Sequence, residues 1–210
     1  IIGSEGNGIY GAAFNIYNIM LVLSSYGLPM AVSKLVSARF TKKRYKSAAK
    51  VLRCSLMVAV CTGGIAALLV FFGASFIENV IYGGGLPGLA IPLRILAPTI
   101  FLVAILGVIR GFFQGQSTMI PTAVSQILEQ IVNAIVSIAA GYGMMKAFAS
   151  SPDVAAYGAA GSTLGTAMGA LTAVLFMGFL YAVYTPTFNR LKRKDRHTEN
   201  QSTGQICKII

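Results

Sequence analysis

Thr122, Gln126, Glu129, Asn133 and Ser137 stand four, three, four and four residues apart in an otherwise apolar stretch. On a helix this spacing draws one polar stripe about 22 Å long, at 1.5 Å rise per residue. Such a stripe cannot face hydrocarbon, where a polar group without a partner costs several kcal/mol. It must line either a helix interface, bonded across to a neighbour and flanked by Gln130, or a watery cavity. Glu129 favours the cavity. It lies about ten residues into its segment, near the membrane midplane, where an ionisable group marks a functional site. The chemistry open to it there is pairing with a cation or uptake of a proton.

Arg94 is a second charge inside an apolar segment, flanked by Pro92 and Pro98. Counting rises from the segment ends leaves Arg94 and Glu129 about 7 Å apart in depth, within reach of two long side chains or one shared water-filled space. Alternatively, Arg94 snorkels to the outer headgroups. Lys34 opens a basic stretch and is a candidate substrate contact at the cytoplasmic mouth. The prolines Pro29, Pro92, Pro98 and Pro121 interrupt apolar segments, as in the broken helices where transporters bind substrate or bend. Gly161, Gly165 and Gly169, preceded by Gly158, form a small-residue ridge that lets helix backbones approach closely, as static packing or as a moving joint.

Covalent chemistry finds little support. Paired carboxylates or a histidine near a membrane face would suit an enzyme, but Glu5, Glu78 and Asp153 are scattered. Cys54 and Cys61 are seven residues apart on one expected helix, about 10 Å between α-carbons, too far for a disulfide, and read as packing residues. Cys207 lies in a polar tail beside Lys208, and His197 is the single histidine. These residues form no metal-ligand cluster, and no cofactor, metal site or enzymatic activity is expected.

The elements that position these residues follow from hydropathy. Of 210 residues 55% are hydrophobic and 11% charged, with a mean hydropathy of +0.71, outside the usual soluble range. Segments of about 20 apolar residues span a bilayer, and five qualify, at roughly 9–32, 51–73, 89–113, 119–145 and 155–184. The expected fold is all-α and transmembrane. The net charge of +11 would suit nucleic acid if it were spread over one surface. Instead it collects in Lys34 to Arg53 and in Arg190 to Arg196, separated by apolar stretches, so nucleic acid is excluded and the charge is a topology signal. Basic connections (33–50, 114–118, the tail from 189) alternate with non-basic ones (1–8, 74–88, 146–154), as five reversals of direction require. Basic loops stay in the cytoplasm, which places residue 1 outside and the tail inside. The basic loop from Lys34 to Arg53 would meet anionic lipid headgroups. Two domains are expected, a bundle over 1–188 and a basic, disordered tail over 189–210 that resembles a truncated linker. A chain that starts outside on Ile1-Ile2-Gly3 with neither initiator Met nor signal peptide is expected to have lost a preceding span.

Gly27-Leu28-Pro29-Met30-Ala31-Val32-Ser33-Lys34, Arg110-Gly111-Phe112-Phe113-Gln114-Gly115, and Met119-Ile120-Pro121-Thr122-Ala123-Val124-Ser125-Gln126 followed by Glu129-Gln130 resemble the polysaccharide biosynthesis and stage V sporulation protein B family. That family is related to the peptidoglycan lipid II flippases, within the multidrug, oligosaccharidyl-lipid and polysaccharide exporter superfamily. The likeness runs from Gly3-Ser4-Glu5-Gly6 to about Tyr184 and is most specific from Arg110 to Gln130. It implies two pseudo-symmetric bundles of about fourteen spans in all around a central cavity, working by alternating access on an undecaprenyl-pyrophosphate-linked sugar. This chain would hold spans two to six, most of one bundle, without the first span or the second bundle. Cavity arginines bind the pyrophosphate in such proteins. Arg94 matches in kind, Lys34 and Arg110 would attract it at the inner mouth, and Gln126, Glu129 and Asn133 would line the path. The sequence departs from the family where Asn133 stands, since an arginine often follows the Glu-Gln pair. Two other functions remain open: a drug/cation antiporter with Glu129 as coupling carboxylate, disfavoured by the lack of tryptophan to stack on flat cations, and a non-transporting scaffold.

Overall fold

A computed structural model describes residues 3–24, 27–151 and 153–195. Six α-helices make up the bundle: α1 (Gly3–Ser24), α2 (Leu28–Thr41), α3 (Tyr45–Phe76), α4 (Ala90–Gln114), α5 (Ile120–Ala147) and α6 (Val154–Lys194). No strand occurs among the described residues. Among the described residues five runs are long and apolar enough to cross a membrane: Gly3–Thr41, Tyr45–Ile81, Ala90–Gln114, Ile120–Ala147 and Val154–Lys194.

Residues 33–50 do not form the expected loop. They are helical in α2 and α3 except for a tight turn at Lys42, Lys43 and Arg44. Lysine and arginine are good helix formers, and neither Gly nor Pro occurs from Val32 to Val60. The turn closes as a Schellman motif, with Lys43 N–H donating to Phe40 O (2.9 Å) and Arg44 N–H to Arg39 O (2.9 Å). Lys43 takes the left-handed position (φ 54°) that glycine usually fills. α6 likewise runs beyond residue 188 to Lys194, while Arg196, His197 and Cys207 lie outside the described residues. At 41 residues, α6 is about 61 Å long against a hydrocarbon layer of about 30 Å. The basic ends of the helices therefore continue past the apolar zone as helix. There Asp195 accepts from the Lys46 N–H (2.9 Å), so that the end of α6 caps the start of α3. Phe188 stacks on Phe40 and packs edge-on to Phe112 (6.1 and 5.4 Å between centroids).

At the opposite end α3 closes in a single π-helical turn, Ile77–Ile81. The Glu78 carboxylate in this turn accepts from Gly88 N–H (3.0 Å) and Ala90 N–H (2.7 Å), which stabilises the start of α4. Three of the prolines begin helices rather than interrupting them. Pro29, Pro92 and Pro121 occupy the first turns of α2, α4 and α5, where a missing N–H costs nothing. Pro98 is inside α4.

α4 is the most buried of the membrane-length helices and α5 the least. Leu93, Leu96, Ile100, Leu106 and Phe112 of α4 are fully covered. By contrast Ile127, Ile131, Ile135 and Ile138 form an exposed apolar stripe along α5. The core is split into two apolar clusters. One surrounds Val32, Val51, Phe112 and Phe188 at the basic end, the other Ile9, Val70, Leu93 and Ala156 at the opposite end.

Candidate functional site

α4 and α5 form a hairpin whose short turn (115–119) lies at the basic end. Arg110, about one turn before that connection, reaches across to α5. Its Nη2 donates to Glu129 Oε2 at 2.8 Å and its Nε to Ser125 Oγ at 2.9 Å. The Ser125 hydroxyl in turn donates to the Thr122 carbonyl (2.7 Å). The ion pair is largely withdrawn from the surface, with side-chain exposures of 14% for Arg110 and 20% for Glu129. Each partner offsets much of the other's desolvation.

Beside the pair is a cavity of about 270 Å³, lined by Leu21, Pro29, Val103, Gly107, Arg110, Gln114, Thr122 and Gln126. The Thr122 hydroxyl is buried there without a hydrogen-bond partner among the described residues. A broader groove of about 590 Å³ adjoins it, lined by Pro29, Met30, Ser33, Lys34, Ser37 and Gln114. The two spaces share Pro29 and Gln114 as walls, so Lys34 lies on a surface leading toward Arg110.

The polar stripe of α5 is divided between two environments. Thr122 and Gln126 line the cavity and Glu129 carries the ion pair at its edge. Asn133 and Ser137 belong to the contact with α6, where the Ser137 hydroxyl is 2.9 Å from Asn133 Oδ1 and 2.8 Å from the Ser162 carbonyl. The ridge of α6 makes this approach possible. A Cβ on Gly161 would stand 2.5 Å from Ala140 O, and one on Gly169 2.7 Å from Glu129 O. Both distances are far inside contact, so the ridge packs helix against helix.

Arg94 does not share this space. It is exposed near the start of α4, where its Nη2 donates to Ser75 Oγ at 3.0 Å. Sixteen residues, about 24 Å of helix, separate it from Arg110. The cation that meets Glu129 is Arg110, placed by the hairpin rather than by depth alone. Two features escaped sequence reasoning. Ser125 sits beside the stripe, and Gly107, Gly111 and Gly115 repeat the four-residue spacing of the α6 ridge. That second ridge carries α2: a Cβ at Gly111 would be 2.5 Å from Pro29 O, and one at Gly115 2.7 Å from Ser33 O. The spacing was a usable signal for it. Among the described residues no group of three or more His, Cys, Asp or Glu side chains could hold a metal ion.

Five membrane-length helical runs, with an ion pair beside a part-polar cavity between them, define a multi-pass helical membrane protein. The chain belongs to the polysaccharide biosynthesis protein family, whose model matches residues 1–204. It is 34% identical over 154 residues to the lipid II flippase MurJ of Bacillus subtilis (strain 168), a match covering 70% of this chain and 28% of that protein. It is 30% identical over 178 residues to stage V sporulation protein B of the same organism, covering 84% of this chain and 32% of that one. A third relative there, the uncharacterized membrane protein YabM, is 28% identical over 203 residues, 97% of this chain and 35% of its own length. The chain thus spans about a third of the length of these curated relatives. No solved structure matches it.

Proposed function

We propose that the chain forms part of a transporter that moves a lipid-linked cell-wall or polysaccharide precursor across the bacterial cytoplasmic membrane. The substrate is an undecaprenyl-pyrophosphate-linked sugar, translocated by alternating access, and the work is binding and conformational change rather than a covalent reaction. The observation that carries this reading is Arg110, a largely buried cation beside a part-polar cavity, next to a groove that bears Lys34. A diphosphate is attracted by Lys34, passes Gln114 and meets Arg110, while the sugar and polyprenyl portions require more enclosure than these helices supply. A preceding span and a second helical bundle complete that enclosure. Kinship with a lipid II flippase supports this substrate class.

The basic end lies in the cytoplasm by the positive-inside rule, with residue 1 outside and the tail within. Lys42, Lys43 and Arg44, exposed at the α2–α3 turn, then meet anionic lipid headgroups. An antiporter for organic cations fits less well, because the guanidinium of Arg110 already occupies Glu129.

The test is rescue of cells depleted of their own lipid II flippase by the full-length gene, at matched membrane levels. Wild type restores flipping and growth, Arg110→Ala does not, and Arg94→Ala does. Absence of rescue by well-expressed wild type, together with proton-coupled efflux of organic cations in vesicles, would overturn the proposal in favour of the antiporter.

A further inference from the structure

We infer that the Glu129 carboxylate is a built-in surrogate for the ligand's phosphate, and that an incoming phosphate or pyrophosphate group exchanges with it on Arg110. This rests on the transport reading above and adds how the site engages and releases its ligand.

Several observations converge on an exchange rather than a fixed structural bridge. Arg110 offers five N–H donors, of which one meets Glu129 and one meets Ser125. The pair is therefore monodentate and lacks the parallel two-bond geometry that locks guanidinium to carboxylate. Thr122 is 6% exposed, lines the same cavity as Arg110, and its hydroxyl has no partner among the described residues. A carboxylate anchored at Glu129 engages one donor. A tetrahedral phosphate, with more oxygens and more charge, can accept from more of the guanidinium donors, and Thr122 and Gln126 stand on the same cavity wall. That makes it the better acceptor set for this wall.

Exchange also has a mechanical consequence. Arg110 belongs to α4, whereas Glu129, Thr122 and Gln126 belong to α5. α5 lies along α6 over most of its length and meets α4 sparingly, so the ion pair is a principal tie between the two. A ligand that takes Arg110 releases that tie, which supplies the differential interaction that any ligand-driven change of state requires. The freed carboxylate then needs another positive partner, because an unpaired charge at this depth is expensive.

The experiment uses the purified full-length protein in nanodiscs with two probes, undecaprenyl pyrophosphate and inorganic pyrophosphate. Carbodiimide labelling of Glu129, read by peptide mass spectrometry, rises when the probe binds if the carboxyl is released from Arg110. Labelling that falls or stays flat while the probe binds overturns the exchange. Affinity gives an independent reading. Glu129→Gln, having no competing carboxylate, binds the lipid about tenfold more tightly, Arg110→Gln loses binding, and the double variant behaves like Arg110→Gln. Weaker or unchanged binding by Glu129→Gln would sink the proposal, and the labelling arm decides should that variant fail to fold. A response to inorganic pyrophosphate equal to that of the lipid assigns the exchange to a free anion. A response to the lipid alone assigns it to a headgroup. Exchange without flipping would leave this inference standing and remove the transport reading, whereas flipping with unmoved labelling would do the reverse.

Discussion

α5 presents one polar stripe to two neighbours, and the neighbours make different things of it. Toward α6, Ser137 and Asn133 meet a ridge of glycines, so the backbones close together and the Ser137 hydroxyl bonds across the seam to the Ser162 carbonyl. Toward α4, Glu129 meets an arginine, which bridges the two helices beside a cavity. The same periodicity thus yields packing in one half of the helix and a site in the other. What a polar stripe becomes is settled by the size and charge of the residues it faces.

The largest effect should come from closing the seam to side chains. A Cβ at Gly165 would collide with Ser137 Oγ and stand 2.6 Å from Asn133 O, and backbone cannot yield as a flexible side chain does. Gly165→Leu is expected to cost about 3 kcal/mol or more, seen as loss of the monodisperse species in detergent. Normal thermal stability would mean that α5 and α6 are not held this closely.

The cavity should be less sensitive to size and more sensitive to charge. Removing either Arg110 or Glu129 leaves its partner unpaired, at a cost of about 2 to 3 kcal/mol after discounting for the remaining water contact. Replacing both by methionine should recover most of that loss, giving a coupling energy of about 1 to 3 kcal/mol in a double-mutant cycle. Additive single effects would show that the two charges act separately. Function would still distinguish the double variant from wild type, since it retains a folded bundle but no cation for phosphate.

Hydroxyls sharpen the contrast at smaller scale. Ser137→Ala removes a satisfied seam hydrogen bond and is expected to cost about 1 kcal/mol. Thr122→Val removes a buried hydroxyl that has no partner, so it should be neutral or stabilising by about 0.5 to 1 kcal/mol while weakening anion binding. Equal losses of stability from both substitutions, measured by thermal unfolding in one detergent, would erase the distinction between the two halves.

Much of this was legible from residue types. Hydropathy located the five membrane-length runs, and spacing identified both the polar stripe and the glycine ridge of α6. The basic stretch 33–50 reads as a loop by its charge, yet it is helical on both sides of a three-residue turn. Lysine and arginine carry helix well, and the turn at Lys42 to Arg44 closes through backbone bonds with a lysine where glycine would have advertised it. The pairing of Glu129 was not legible, because depth along a span ranks Arg94 and Arg110 without saying which helix face each occupies. The hairpin folds Arg110 onto the α5 face, whereas Arg94, about 24 Å away along α4, turns to Ser75 of α3.

Those two arginines set the smallest expected effect and a demanding comparison. Arg94 is exposed and its one hydrogen bond goes to a hydroxyl on a neighbouring helix, so solvent or headgroups can replace it at little cost. Arg94→Ala is expected to change stability by no more than about 0.5 kcal/mol and to leave flipping and anion affinity unmoved, where Arg110→Ala loses both. If instead Arg94→Ala reduced transport while leaving anion binding at Arg110 intact, the opposite end of α4 would hold a second station for the ligand. The site would then be a path along α4 rather than a single cavity.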